Sequence, residues 1–192
     1  MPAYNEANYI GSVVLQARHY ADEIIVADDG SKDRTADIAA LAGASVIRHE
    51  RNQGKGAAIR SILAEAIKRN ADVLVIMDAD AQHDPREIPP LIKAVTEGAD
   101  LVIGSRSLGR ENIPTYRKLG QKVLSSLTGT LSKAKVSDTE SGFRALSRKA
   151  ISAMQLKESG FAIEAEMISE AAAKGLKIVE VPITAIYTKD GS

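Results

Sequence analysis

The sequence contains no cysteine. That excludes disulfides and thiolate chemistry, and it is compatible with a reducing compartment. It also lacks a net charge, because Lys plus Arg and Asp plus Glu both number 25. No basic excess is therefore available to attract nucleic acid or anionic lipid. There is no apolar run of about 18 residues and no secretory leader, so no stretch is expected to span a bilayer. Internal repeats and low-complexity tracts are missing as well. What remains is an ordinary globular composition, 44% hydrophobic and 26% charged, over 192 residues. That length suits one domain with a proper core, expected to be soluble and cytoplasmic.

The most informative stretch is Val73-Leu-Val-Ile-Met-Asp-Ala-Asp-Ala-Gln-His-Asp84. Its apolar run shows no alternation, which predicts a strand buried on both faces, as in a parallel sheet covered by helices. Asp78 and Asp80 fall where that strand ends. Residues i and i+2 of an extended chain point the same way, so both carboxylates can face one point. Ligands of open α/β sheets bind outside the carboxyl ends of the strands. Two neighbouring carboxylates repel unless a cation lies between them, and hard oxygen ligands suit Mg²⁺ or Mn²⁺. Taken alone, the same residues also suit a plain acidic loop that ends a strand and caps a helix.

The rest of the chain repeats the pattern. Apolar spacing predicts a helix from Ile10 through Ala17, a strand over Ile24–Ala27 and a helix from about Arg34 to Leu41. Asp28 and Asp29 sit at the end of that strand, before Gly30 and Ser31. A short strand at Ser45–Arg48 leads to Asn52-Gln-Gly-Lys-Gly56, where glycines and Lys55 open a long helix and can approach an anion. This segment matches neither the phosphate-loop spacing nor the dinucleotide fingerprint. A helix from Pro85 to about Glu97 and a strand over Asp100–Arg106 follow, delivering Arg106 to the same edge. A helix is expected over 115–132, with Arg117, Lys118 and Lys122 near its start. Beyond it come a polar turn with Asp138 and Glu140, a short strand, helices at Arg148–Met154 and Glu164–Lys174, and a late strand at Ile178–Ile183. Alternating βα units predict a mainly parallel sheet flanked by helices. His19, His49 and His83 are not spaced as metal ligands.

Pro2-Ala-Tyr-Asn-Glu6, Asp28-Asp-Gly-Ser31, Asn52-Gln-Gly-Lys-Gly56, Asp78-Ala-Asp80 with Gln82, Gly104-Ser-Arg106 and Asp138-Thr-Glu-Ser-Gly-Phe-Arg144 occur in one order. Together they resemble the family-2 inverting glycosyltransferases, and within these the polyprenyl-phosphate sugar synthases such as dolichyl-phosphate mannosyltransferase. The resemblance implies a GT-A fold: one catalytic domain over 1–192, with a nucleotide-sugar-binding half (1–105) and an acceptor-side half (106–192). It implies that Pro2, Tyr4 and Glu6 line the base and ribose, that Asp28 reads the base edge, and that Asp29, Lys55, Asp78 and Ala79 also lie against the nucleotide. Asp78-Ala79-Asp80 corresponds to the family's Asp-x-Asp motif, with Asp78, Asp80 and Gln82 around Mg²⁺ or Mn²⁺ and Asp80 the firmest ligand. Arg106 would face phosphates, and Arg117 would help hold the acceptor phosphate.

The implied activity is transfer of a hexose from GDP-mannose or a UDP-hexose to polyprenyl or dolichyl phosphate. A cation and Arg side chains would stabilise the charge that grows on the departing diphosphate. A lipid phosphate is already an anion and needs no general base. A sugar hydroxyl would need a carboxylate, and Asp138 is then the first candidate, ahead of Glu140 and Glu164. The other open readings are that hydroxyl-directed transferase and a non-catalytic nucleotide-sugar-binding relative. Nucleotidyltransferases are disfavoured, because no glycine- and arginine-rich phosphate loop lies near the N-terminus.

Two departures from the family stand out. Relatives carry a full apolar strand before Pro-Ala-Tyr-Asn-Glu, whereas here only Met1 precedes it. Either the start is truncated or another arrangement fills the gap of a mid-sheet strand beside the Asp28 strand. With the gap open, the expectation is weaker stability and an exposed edge open to pairing between copies in a homo-oligomer. Many relatives also continue into membrane helices after the catalytic domain, and the basic segment near their nucleotide phosphates is represented here only by Lys189. The expectation is therefore either peripheral contact with a lipid acceptor, at the cytoplasmic membrane face, or use of a soluble acceptor.

Overall fold

The computed structural model describes residues 1–108 and 136–184. The expected helix at 115–132, with Arg117, Lys118 and Lys122, and Lys189 lie outside these residues. The chain builds β1 (Pro2–Ala3), α1 (Ile10–Ala17), β2 (Ile25–Asp28), α2 (Thr35–Leu41), β3 (Ser45–Arg48), α3 (Lys55–Lys68) and β4 (Val73–Ile76). A 3₁₀ turn at Pro85–Glu87 then leads into α4 (Ile88–Thr96) and β5 (Leu101–Ser105). After 136 come β6 (Arg144–Ser147), α5 (Arg148–Ala153), α6 (Ile163–Ala173) and β7 (Ile178–Pro182).

The strands form two sheets, ordered β1-β2-β3 and β4-β6-β5-β7. The first is parallel throughout. In the second, β5 and β7 are parallel, while β6 runs antiparallel between β4 and β5. The buried faces follow the periodicities: Ile10, Val13, Val14 and Ala17 on α1, and Ile59, Ile62, Leu63 and Ala66 on α3. One apolar cluster joins α1 and α4 to one side of the strands; a second joins α3, α5 and α6 to the other.

The inserted β6 places the site. Its first residue, Arg144, is in register with Ile76 at the end of β4 and with Ile103 in β5. An antiparallel strand enters where its neighbours leave, so the 138–143 turn arrives at the edge where β4 and β5 deliver Asp78 and Arg106. Three ends meet there.

β1 is two residues long, and the ladders stop between the two sheets. The Met1 ammonium donates to the Ile25 carbonyl at 2.7 Å, and the Met1 carbonyl accepts from the Ala27 amide at 2.9 Å. Below it lies a cleft of about 400 Å³, with Ile25 on one wall, Val73 and Val75 on the other, and Ile62 and Ile88 among its lining. Burial in this position drives the Met1 amine down to about 5, against a smaller upward pull from Asp78.

Candidate active site

The N-terminal stretch is stitched to the turn after β2. Asn5 adopts the left-handed backbone conformation, at φ +56°. Its amide donates to Ser31 Oγ at 2.9 Å, and its side chain accepts from the Lys32 amide at 2.9 Å. The Glu6 amide donates to Thr35 Oγ1 at 2.8 Å, and the Ala7 amide to Asp33 at 3.1 Å. Pro2 is thereby fixed beside Ala27, and Tyr4 stays exposed. The Glu6 carboxyl is pushed above its usual range, first by burial and then by Asp80, Asp33 and Asp78. Glu6, Asp78 and Asp80 therefore share one negative focus.

The two acids after β2 do different work. Asp28 is fully buried; its Oδ1 accepts from the Ser31 amide, and its Oδ2 faces Arg48 Nε at 3.5 Å. Among the described residues, no donor hydrogen-bonds to that Oδ2. A buried carboxylate oxygen without a donor is costly unless a ligand supplies one. Both Asp29 oxygens are hydrogen-bonded. The carboxylate accepts from the Gln53 and Gly54 amides and from His49 Nδ1 at 2.7 Å. Its function is to hold the turn before Lys55.

Asp78 and Asp80 do not behave as a matched pair. β4 ends at Ile76, so the extended geometry that would align them stops short, and Ala81 turns the chain at φ +62°. Asp78 is turned inward: Lys55 Nζ lies 2.7 Å from its Oδ1 and equally 2.7 Å from Glu164 Oε1. Gly142 packs so closely on Asp78 that any Cβ would overlap the carboxylate. Burial alone would raise Asp78, but Lys55, with help from His83, holds it below the usual range. Burial likewise works to lower Lys55, and Asp78 and Glu164 together raise it. Asp80 accepts from the Gln82 amide at 3.0 Å, and Ala79 between the two acids is buried. His83 stacks on Phe143 with centroids 5.1 Å apart, and burial lowers its pKa.

Arg106 and Asp138 form a closed pair. Asp138 accepts from Arg106 Nε at 2.9 Å, from Nη2 at 3.1 Å and from the Arg106 amide at 3.1 Å. The guanidinium beside it, opposed by a smaller desolvation effect, holds the Asp138 carboxyl below its usual range. Arg144 is almost wholly buried. Its guanidinium donates to the carbonyls of Thr139, Ser141 and Glu164, tying the turn to α6, and burial lowers it to about 10.

The structure thus gathers Glu6, Lys55, Asp78, Asp80, Arg106 and Asp138 at one edge, with Asp28 at the end of the neighbouring sheet. Arg117 lies outside the described residues. Sequence reasoning ranked Glu164 only as a third candidate base and passed over His49. Glu164 carried one faint signal, its place in the first turn of α6. His49 carried none, because its partners lie twenty residues before and twelve after it.

This arrangement can hold a nucleotide against Asp28, stabilise an anion with Lys55 and Arg106, and place a cation against Glu6 and the Asp78–Asp80 turn. Known proteins give it a context. A sequence profile of glycosyl transferase family 2 matches residues 1–154. The UDP-N-acetylglucosamine–dolichyl-phosphate N-acetylglucosaminyltransferase of Methanococcus voltae is 36% identical over 98% of this chain and 85% of its own. The dolichol-phosphate mannosyltransferase of Pyrococcus furiosus is 36% identical over 96% of this chain, which spans only 54% of that relative's length. Among solved structures, glucosyl-3-phosphoglycerate synthase from Mycobacterium tuberculosis, in complex with Mn²⁺ and UDP-glucose, superposes with a TM-score of 0.73. It is 26% identical, and the match covers 99% of this chain and 70% of that one. The chain belongs to glycosyl transferase family 2, with the GT-A fold of a glycosyltransferase.

Proposed function

We propose that the protein is an inverting hexosyltransferase that uses a nucleotide sugar as donor, a polyprenyl phosphate as acceptor and Mg²⁺ or Mn²⁺ as cofactor. The observation that carries this reading is the Arg106–Asp138 pair. A transfer to a sugar hydroxyl needs a carboxylate free to take a proton. Asp138, the foremost candidate, is clamped by a guanidinium that makes it a weaker base. A phosphate monoester arrives already ionised and needs no such group. Relatives named for dolichyl-phosphate acceptors support the same choice.

In this reading residues 1–105 bind the donor and 106–192 face the acceptor. Pro2, Tyr4 and Glu6 border the base and ribose, and the unfilled Asp28 oxygen accepts an N–H from the base. The acidic focus suits a divalent cation: Glu6 is pushed up first by burial and then by Asp80, Asp33 and Asp78, and a cation would relieve that second, electrostatic part. Asp80 would be its main ligand, with Gln82 and Asp78 nearby. Among the described residues no three His, Asp or Glu side chains form a ready metal cage, so a cation held here would take further oxygen ligands from the donor's phosphates and water. When bound, the cation stabilises charge on the leaving diphosphate. Lys55 neutralises Asp78 beside that charge, and Arg106, oriented by Asp138, would face the phosphates; the acceptor-phosphate role of Arg117 rests on the family resemblance alone. Among the described residues no helix is long and apolar enough to cross a membrane, which suits peripheral access to a lipid acceptor.

A thermal-shift screen of UDP, GDP and their sugar conjugates, each with and without Mn²⁺, tests the donor half. Ligands that bind only the folded state raise its melting temperature. The expected result is a Mn²⁺-dependent rise with one base, lost in Asp80→Ala. Release of free nucleotide with polyprenyl phosphate, but not with a simple sugar, then tests the acceptor. Binding without turnover on any acceptor would instead favour a non-catalytic nucleotide-sugar-binding protein.

A further inference from the structure

We infer that His49 is a positioning residue for Lys55, acting through Asp29; the inference deepens the nucleotide-sugar reading and rests on it for its ligand. The His49 ring is enclosed, with its side chain 10% exposed against 4% for Asp29. Nδ1 lies 2.7 Å from Asp29 Oδ1 and Nε2 lies 2.9 Å from Ser61 Oγ. A carboxylate oxygen that is already taking amide hydrogens can only accept, so Nδ1 carries a proton and donates. Ser61 sits in the body of α3. The ring therefore ties the helix that Lys55 begins to the carboxylate that holds the turn before it.

That turn is defined from two sides. Asp29 takes the Gln53 amide at 3.0 Å and the Gly54 amide at 2.7 Å. On the opposite side the Gly56 amide donates to the Ser159 carbonyl at 2.8 Å. A Cβ at Gly54 or Gly56 would overlap the backbone of residues 158 and 159, and Gly54 adopts φ +96°. Lys55 lies between these clamps, and its ammonium reaches Asp78 and Glu164 from there. No side chain caps the α3 N-terminus. Asp29 holds the amides ahead of it instead, and the orientation of that carboxylate is set by His49. A turn displaced by a rotated Asp29 would carry the Lys55 ammonium off Asp78.

The two ring nitrogens can be tested separately. In His49→Asn the side-chain amide nitrogen occupies the place of Nδ1, and in His49→Gln that of Nε2. Hydrogen exchange at the Gln53 and Gly54 amides reads the turn without any ligand. UDP and GDP titrations with Mn²⁺ read the site. Asn should preserve slow exchange and nucleotide affinity. Gln and Ala should each quicken exchange at those two amides and weaken nucleotide binding by about tenfold or more, the worth of one hydrogen bond to a charged group. Gln behaving like Asn, or exchange at the two amides unchanged in every variant, would overturn the assignment. Equal loss in all three variants, with faster exchange throughout the sheet, would also overturn it, because that marks plain packing. If the wild type binds neither nucleotide, the donor reading fails, and the exchange contrast between Asn and Gln still decides whether His49 holds the turn.

Discussion

The acceptor chemistry turns on the state of one carboxylate. If Asp138 took the proton from an acceptor hydroxyl, its removal would cost about 10²–10⁴ in rate and abolish the acidic limb of the pH profile. As the anchor of Arg106 its loss is milder, because the guanidinium keeps its charge and loses only its aim. Asp138→Asn is therefore expected to lower kcat by about tenfold, of the order of one charge-assisted hydrogen bond, with the pH profile unmoved. A collapse of the acidic limb would restore Asp138 as a base and a hydroxyl as acceptor. Gly142 offers a second test. A methyl group there would collide with Asp78, whose carboxylate Lys55 holds in place. Gly142→Ala is expected to cost about 1–3 kcal/mol, the usual range for overpacking, and to weaken nucleotide binding; denaturant unfolding and the thermal-shift assay would check each. At this scale the sequence showed which residue types gather, because Asp28, Asp78 and Arg106 each end an apolar run. It did not show their partners. That Asp29 is spent on the Gln53–Gly54 turn, or that Lys55 bridges Asp78 and Glu164, depends on contacts between residues far apart in the chain.

Elements were more legible than their pairing. The existence of β4 and the spacing in α3 follow directly from hydrophobic periodicity. Yet β4 is not covered on both faces as the unbroken apolar run predicted: Leu74 and Ile76 are buried, while Val73 and Val75 are half-buried along the cleft. The antiparallel insertion of β6 does not follow from periodicity, since a short strand after a long interruption can enter a sheet from either direction. The gap beside β1 shows in the pairing: β1 holds two residues, and the ladders of β2 and β4 stay apart among the described residues. Extending the chain upstream of Met1 by about five apolar β-branched residues should fill the cleft and pair both edges. Each fully buried Val or Ile contributes about 1.5–3 kcal/mol in transfer terms before ordering costs. The extended protein should therefore melt several degrees higher, and chemical shifts of Ile25, Val73 and Val75 should move. An unchanged melting temperature would mean that the cleft does not accept a strand.

The whole molecule should report the same gap through its pH dependence. The carboxylates held low, Asp78 by Lys55 and Asp138 by Arg106, give stability that is fully present above the ordinary carboxylate range and is lost only in more acidic solution. Glu6, pushed up, acts in the opposite sense, losing stability as pH rises out of that range. None of these affects the region near neutrality, but the Met1 amine does. In a chain that begins at Met1, its pKa falls from 8.0 unfolded to about 5 folded. Between those limits the unfolded chain binds the proton and the folded one does not. Stability is therefore complete above pH 8 and declines toward pH 5, at a slope of at most about 1.4 kcal/mol per pH unit. His83, lowered by burial, adds a loss of the same sign only below its ordinary value of 6.5. The interval from pH 8 to 6.5 thus isolates the amine. Urea unfolding across it should show falling stability for a chain with a free Met1 amine and a flat response once the amine is acetylated or the chain extended. A flat response in the unmodified chain would mean that the ammonium reaches water through the cleft, and that Met1 is solvated instead of buried.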